Sequence, residues 1–320
     1  MANRHLTLSE RHCIEDLLRL GYLEAKIAEI IGFSITTIKN ELKRNSINGA
    51  YNAVVANNLY LSRRKSNNNK LTKEVKDLVI ALLKKELSPE LICGRLKAEG
   101  IVNISFKAVY NFISKNAMKH YLFFKGRRYK YKKEECSKQG KIVDRVNISE
   151  RPQEANARTE LYHFEGDTVV GKDHKGAILT MVDRVSRYTI LAKSEDRTAS
   201  SIKELLCKAS NGNKILTATF DNGKEFAKHK ELKLETGIDV YFADPYSPWQ
   251  RGTNENMNRY VRKFIPKGTN LSKISDRYIR ELQNALNNRP KKCLNYLTPN
   301  EVHFGIKINI GLFPNKCVNS

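Results

Sequence analysis

Three acidic residues, far apart in the chain, have the types and settings that could hold a hard cation: Asp167, Asp221 and Glu255. Asp167 interrupts HFEGDTVVG, an apolar segment that reads as a strand, with Glu165 on the same side. A charge in a central strand is costly unless it is paired or binds a metal. Asp221 ends a second apolar run, KILTATFDNG, and the carboxyl ends of strands are where open α/β sheets carry their ligands. Glu255 follows, with 33 residues between it and Asp221, in ADPYSPWQRGTNENMNRYVR. Pro245, Pro248 and Gly252 make the first half of that stretch a loop, and the second half is helix-compatible. Glu255, Asn258, Arg259 and Arg262 recur at i, i+3, i+4 and i+7 and so share one helical face. Three oxygen ligands with open positions suit Mg²⁺ or Mn²⁺, which keep waters and take phosphate oxygens as remaining ligands. Arginines beside such a cation point to a polyanion. Each acid alone has a plainer reading: Asp167 capping a bend, Asp221-Asn222-Gly223 a turn, Glu255 a surface carboxylate paired with Arg259. As an ordered set in a chain this basic, they are read as a metal site.

The elements that must position these side chains are legible around them. HFEGDTVVG, AILTMVDRVS and RYTILAK read as three successive strands joined by tight turns. TASSIKELLCKAS is a helix, KILTATFDNG a buried strand, KEFAKHKELKLETG a helix and VYFA a short strand before the Glu255 helix. A final helix spans roughly residues 275–287. Together these make an α/β core with a mixed sheet. If the first and fourth strands are neighbours, Asp167 and Asp221 face each other and the Glu255 helix closes over them. Asp173, Asp183, Glu195, Asp196 and Asp244 read as sheet-edge or loop charges, and His229 as structural. Tyr246 and Trp249 either pack the loop or stack on an unpaired base, with packing the expectation for Trp249.

Upstream, Thr7 and Glu10 have capping-box spacing before a helix through Ile14, Leu17 and Leu18, which Gly21 ends. A short helix, EAKIAEIIG, turns at Gly32, and Ser34 caps a third helix, SITTIKNELKRN. Ile35, Ile38 and Leu42 are expected to face a core, leaving Thr36, Thr37, Lys39, Asn40, Lys43 and Arg44 outward. The arrangement predicts a helix-turn-helix whose third helix enters the DNA major groove. Thr and Asn there reach base edges, while Lys43 and Arg44 neutralise phosphate. The bland alternative is a plain three-helix bundle. The run ending in SRRKSNNNK reads as a linker. LTKEVKDLVIALLKKEL, SPELICGRLKAEG and SFKAVYNFISK then form a second helical unit, either helix-turn-helix-like or a spacer. KHYLFFKGRRYKYKK interleaves basic residues with aromatics, which fits backbone binding without sequence choice through Arg127, Arg128 and Lys130.

Composition agrees with these readings. The 320 residues carry 57 Lys and Arg against 34 Asp and Glu, a net charge of +23 that favours polyanionic partners, nucleic acid above all. No apolar run approaches the ~18 residues needed to span a bilayer. The N-terminus lacks the apolar core of a secretion signal. Six scattered cysteines without a CxxC pair read as reduced thiols, so the expected location is cytoplasmic. The expected domains are a helix-turn-helix at 1–50, a linker at 51–70, a second helical domain at 71–118, a basic linker at 119–155, the core at 156–310 and a tail at 311–320.

Nearly the whole chain resembles the bacterial insertion-sequence transposases of the insertion-sequence-30 type. The resemblance is carried by the helix-turn-helix near residues 6–45 and by SPELICGRL, FEGDTVVGKDHKGAILTMVDRVSRY, TFDNGKEFAKH and YFADPYSPWQRGTNENMNRYVRKFIPKGT. It implies an all-α N-terminal region and an RNase-H-like, integrase-type α/β core with an Asp-Asp-Glu triad and two divalent ions. The triad falls on Asp167, Asp221 and Glu255, and Arg262 matches a basic position on the same helical face. By the same resemblance, Asp167 bridges both metals, Asp221 holds one and Glu255 the other. Arg259, Arg262 and Lys263 are expected on DNA phosphates beside the cut, in a homo-oligomer assembled on element ends and target DNA. The alternatives are a DNA-binding regulator without catalytic activity and a nuclease that hydrolyses but never joins strands.

Overall fold

Side chains along His163–Val170 alternate between two apolar layers, and this alternation organises the larger part of the molecule. The structure is a computed structural model that describes residues 4–68, 70–122, 142–245 and 247–308. The chain divides into two compact units, residues 1–80 and 81–320.

In the first unit, α1 (Leu8–Arg19), α2 (Glu24–Ile31) and α3 (Ile35–Asn45) enclose Leu6, Ile14, Ile27, Ala28 and Ile38. The Thr7–Glu10 capping box is formed, and Gly32 makes the α2–α3 turn with a left-handed φ of 76°. Arg11 is buried among these helices. It donates from Nε to Glu41 at 2.8 Å and from Nη1 to the Leu6 carbonyl at 2.6 Å. Two expectations need correction. Ile35 is 42% exposed rather than core-facing, because it stands at the first position of α3 and Ile38 fills the interior. The segment read as a linker is helical, forming α4 (Ala53–Asn68). Ala53 and Ala56 are small enough to bury completely against α1, and the Ala53 amide donates to Glu15 at 2.9 Å.

Four helices, α5 (Lys73–Lys84), α6 (Pro89–Ala98), α7 (Phe106–Lys115) and α8 (Gln153–Ala157), precede the sheet. Ser88 and Ser105 cap α6 and α7 as their sequence implies. The sheet comprises β1 (His163–Val170), β2 (Ala177–Asp183), β3 (Thr189–Ser194), β4 (Thr217–Phe220) and β5 (Asp239–Phe242), in the order β3-β2-β1-β4-β5. The first three strands form an antiparallel meander, whereas β4 and β5 run parallel to β1. This mixed sheet is the one expected. It is covered on one face by α9 (Ala199–Gly212) and α10 (His229–Thr236), which pack on Phe164, Met181, Phe220 and Phe242. The other face carries α11 (Gly252–Phe264) and α12 (Asp276–Asn287), packed on Val169, Ile178, Val182 and Leu191. The helix read from KEFAKHKELKLETG is divided, with a 3₁₀ turn at Lys224–Phe226 before α10.

One further helix, α13 (Pro299–Phe304), follows α12 beyond the last helix expected. Its capping box, Thr298 with Glu301, and Pro at its first turn are ordinary start signals. Glu301 accepts a bidentate pair from Arg95 of α6 at 2.7 and 2.8 Å. Arg95 also reaches Glu99 at 2.7 Å and the Tyr296 carbonyl at 3.0 Å. Gly94 admits the Tyr296 ring, since a Cβ there would lie 2.2 Å from it. The SPELICGRL segment is thus joined to the C-terminal segment by a buried ion pair.

Candidate active site

Alternation along β1 turns Glu165 and Asp167 toward α11, while Phe164 faces the opposite core. The parallel register pairs Glu165 with Thr219, so Asp221, the residue following β4, stands level with Asp167. The two aspartates meet as expected. A single cation touches both: Arg251 Nη1 lies 3.9 Å from Asp167 Oδ2, and its Nη2 lies 3.4 Å from Asp221 Oδ2. Arg251 is held there by donating to the Gly166 carbonyl at 3.0 Å.

The remaining lone pairs of the aspartates are occupied from nearby. Asp167 Oδ1 accepts from the Thr168 amide at 2.8 Å, and its Oδ2 from Asn258 Nδ2 at 2.8 Å. Asp221 Oδ1 accepts from the Gly223 amide at 2.9 Å, so Asp221-Asn222-Gly223 is also the turn that its sequence allows. Burial pushes the Asp167 carboxyl up to about 6; Arg251 opposes this rise, while Asp221 and Glu225 add to it.

Glu225 is a fourth carboxylate, which the sequence reading missed. It is buried, accepts from Thr168 Oγ1 at 2.9 Å and pairs with Arg197. A Cβ on Gly223 would stand 2.5 Å from its Oε2 and 2.9 Å from Asp221 Oδ1, so a larger residue there would push the two acids aside. Its available signal was its place four residues after Asp221. In a polar turn, however, that spacing is indistinguishable from a solvated charge.

Glu255 lies in the first turn of α11 and is exposed. Among the described residues, no three His, Cys, Asp or Glu side chains converge as a metal-binding group. The structure therefore brings Asp167 and Asp221 together and leaves Glu255 outside their cluster, three residues from Asn258, which touches Asp167. Arg259 donates to Asn256 at 3.0 Å rather than serving Glu255 as an i+4 partner. Arg262 donates to the Val170 carbonyl at 3.0 Å, and Lys263 pairs with Glu86. A hard cation suits the two aspartates: they already face one positive group, and their oxygens are those that Mg²⁺ or Mn²⁺ prefer.

Trp249 corrects an expectation, being 74% exposed rather than packed. Asp183 is a turn former, accepting from the Tyr162, Val185 and Ser186 amides at 2.7–3.0 Å. On α3, Thr36, Lys39, Asn40, Lys43 and Arg44 are exposed, whereas Thr37 is partly occupied by its contact with the cap Ser34. Arg127, Arg128, Lys130 and Tyr246 lie outside the described residues.

Comparison with known proteins places this geometry. An integrase core domain model matches residues 157–248, and a helix-turn-helix domain model matches residues 2–45. The transposase for insertion sequence element IS4351 of Bacteroides fragilis is 38% identical over 310 residues, covering 93% of this chain and 95% of its own. The transposase InsI for insertion sequence element IS30A of Escherichia coli strain K12 is 35% identical over 322 residues, covering 93% and 83%. The chain belongs to the insertion-sequence-30-type transposases. Within this transposase, the helix-turn-helix match covers α1–α3, and the core match takes in β1–β5 with Asp167 and Asp221 but ends before Glu255. A solved structure, the catalytic core domain of BIV integrase, is similar over 45% of this chain and 94% of that chain, at 17% identity and a TM-score of 0.36.

Proposed function

We propose that this transposase binds the terminal inverted repeats of its insertion sequence and catalyses metal-dependent strand cleavage and strand transfer at an Asp167–Asp221–Glu255 site. The observation that carries the reading is the placement of Asp167, inside β1, level with Asp221, just past the end of the neighbouring β4, both against one cation, in a chain with transposase relatives. Two divalent ions, Mg²⁺ or Mn²⁺, when bound, would activate the attacking oxygen and neutralise charge at the phosphorus undergoing in-line displacement. Asp167 and Asp221 would ligate them once Arg251 withdraws, and Glu255 would complete the set by turning its side chain in from the first turn of α11. Asn258 and the Thr168 amide orient Asp167 throughout. Released from the aspartates, Arg251 is well placed to take a DNA phosphate.

Arg259, Arg262 and Lys263 extend the positive surface along α11 for the backbone beside the cut. Thr36, Thr37, Lys39, Asn40, Lys43 and Arg44 are the proposed readers of the element end, with Arg127, Arg128 and Lys130 as further backbone contacts. Residues 1–50, 71–118 and 156–310 are the proposed functional divisions, acting as a homo-oligomer on DNA in the bacterial cytoplasm, at the nucleoid. Among the described residues, no helix is long and apolar enough to cross a membrane.

Labelled element-end DNA incubated with Mn²⁺ should yield both nicked and strand-transfer products. Asp167→Asn, Asp221→Asn and Glu255→Gln should each bind that DNA normally and yield neither. Normal cutting by any of the three would remove that residue from the site. Nicks without joining would reduce the protein to a nuclease, and tight binding without metal or cleavage would make it a regulator.

A further inference from the structure

We infer that Glu165 is a positioning residue: its carboxylate caps the helix that carries Glu255 and fastens it to the strand that carries Asp167. The inference rests on the site reading above, because it matters to catalysis only if Glu255 is a ligand.

α11 has no capping side chain of its own; Arg251 stands at its N-cap and makes no cap hydrogen bond. The first amides of a helix have no partner within it and need acceptors from elsewhere. Glu165, two residues before Asp167, supplies one. It is fully buried, and its Oε2 accepts from the Thr253 amide at 3.0 Å and the Asn254 amide at 3.1 Å. A carboxylate is also the group that the partial positive charge of a helix N-terminus favours. Its other oxygen, Oε1, pairs with Arg184, which is anchored by donating from Nε to the Ala155 carbonyl at 2.8 Å.

Two further contacts follow along the same seam. Asn254 Nδ2 donates to the Thr180 carbonyl at 3.3 Å, where Thr180 is the β2 partner of Asp167, and Asn258 donates to Asp167 itself. Glu165 is therefore the first of three polar ties that set the height and rotation of α11 over the sheet. The residue between the two capped amides and Asn256 is Glu255. With both Glu165 oxygens committed to α11 and Arg184, Glu165 acts through Glu255 rather than on the metals.

The direct test needs no substitution. In the full-length protein, amide exchange resolved at Thr253 and Asn254 should show protection of about 100-fold or more over an open chain. Exchange at open-chain rates would overturn the inference. Replacing Glu165 alone would strand the buried Arg184 charge, so the pair is changed together. Glu165→Ala/Arg184→Met is expected to fold and bind element-end DNA with unchanged KM. Its kcat should fall about 10–100-fold, and its half-saturating Mn²⁺ concentration should rise, the scale of lost outer-shell support. Glu165→Gln/Arg184→Met keeps an acceptor oxygen under the helix and should recover most of that activity. Equal activity in the two double variants would overturn the inference. Should the alanine variant misfold, the glutamine variant is compared with wild type alone, and cutting no better than background would overturn the inference in the same way. Glu255→Gln run alongside separates the two readings. If it still cuts, the site reading fails; if it is inactive while Glu165→Ala/Arg184→Met cuts at the wild-type rate, only the capping inference fails.

Discussion

Asn258 donates from Nδ2 to Oδ2 of Asp167 at 2.8 Å, tying the candidate metal ligand of the central strand to the helix that bears Glu255. The same side chain meets Thr180 through its Oδ1 at 2.9 Å. Asn258→Ala removes both hydrogen bonds without burying a new charge. Stability is expected to fall by about 1–3 kcal/mol, the usual net worth of two hydrogen bonds. Cleavage is expected to fall about tenfold, as for lost outer-shell support of a metal ligand. Urea unfolding and a single-turnover cleavage assay would check the two figures separately.

Metal binding should depend on pH through Asp167. Its carboxyl is raised to about 6 by burial, so below that pH an entering cation has to displace a proton. Thermal stabilisation by Mn²⁺ is expected to be weak at pH 5 and to reach its plateau above about pH 7. For the metal-free protein the sign is opposite to that of a salt-bridged acid. Between its ordinary value of 3.8 and about 6 the folded state holds a proton that the unfolded state has lost. The contribution of Asp167 to stability therefore declines as pH rises through that window, and Asp167→Asn should remove the decline. A set of melting curves from pH 4 to 8 with and without Mn²⁺ would show both effects.

The buried pair of Arg95 and Glu301 should govern acid stability of the larger unit. Burial would raise the Glu301 carboxyl, but Arg95 and the Thr298 and Ile308 amides outweigh it and hold the group down at about 2. The stabilisation is fully present above the ordinary value of 4.5 and lost as pH falls from there toward 2. Glu301→Gln should flatten the stability profile over that range. Glu301→Ala leaves Arg95 buried without its bidentate partner and is expected to cost about 3–5 kcal/mol. Denaturant titrations at pH 7 and pH 3 would measure these changes.

Sequence recognition should be separable from catalysis. Lys43 and Arg44 are exposed in the last turn of α3, distant in sequence from the core. Replacing each with Ala is expected to lower DNA affinity and to reduce the salt-dependence slope by about 1 for each phosphate no longer neutralised. Melting behaviour should be unchanged. Asn40→Ala, on the same exposed face, should instead relax base preference at one position by about 1–3 kcal/mol. Binding isotherms across a salt series on element-end and random DNA would distinguish the two effects.

The primary structure by itself determined the local elements. Thr7 with Glu10, Ser34, Ser88 and Ser105 cap the helices they announce, because a cap depends on groups only three residues away. The β1 segment betrayed its two-sided burial by a charge that a central strand does not carry without a reason, Asp167. The α4 helix and α13 escaped notice for different reasons: α4 is polar enough to read as a linker until Ala53 and Ala56 find α1, while the start signals of α13 were present but sat past the expected last helix.

Tertiary structure alone decided which polar groups meet. Whether Asp221 stands level with Asp167 depends on strand order, which no local pattern encodes. Arg251 bridging two acids, Glu225 buried behind them and Glu165 under the Glu255 helix are contacts spanning tens of residues. Each of these side chains is an ordinary surface charge when read along the chain. It takes on its role only when folding removes water from around it and a distant partner replaces that hydration.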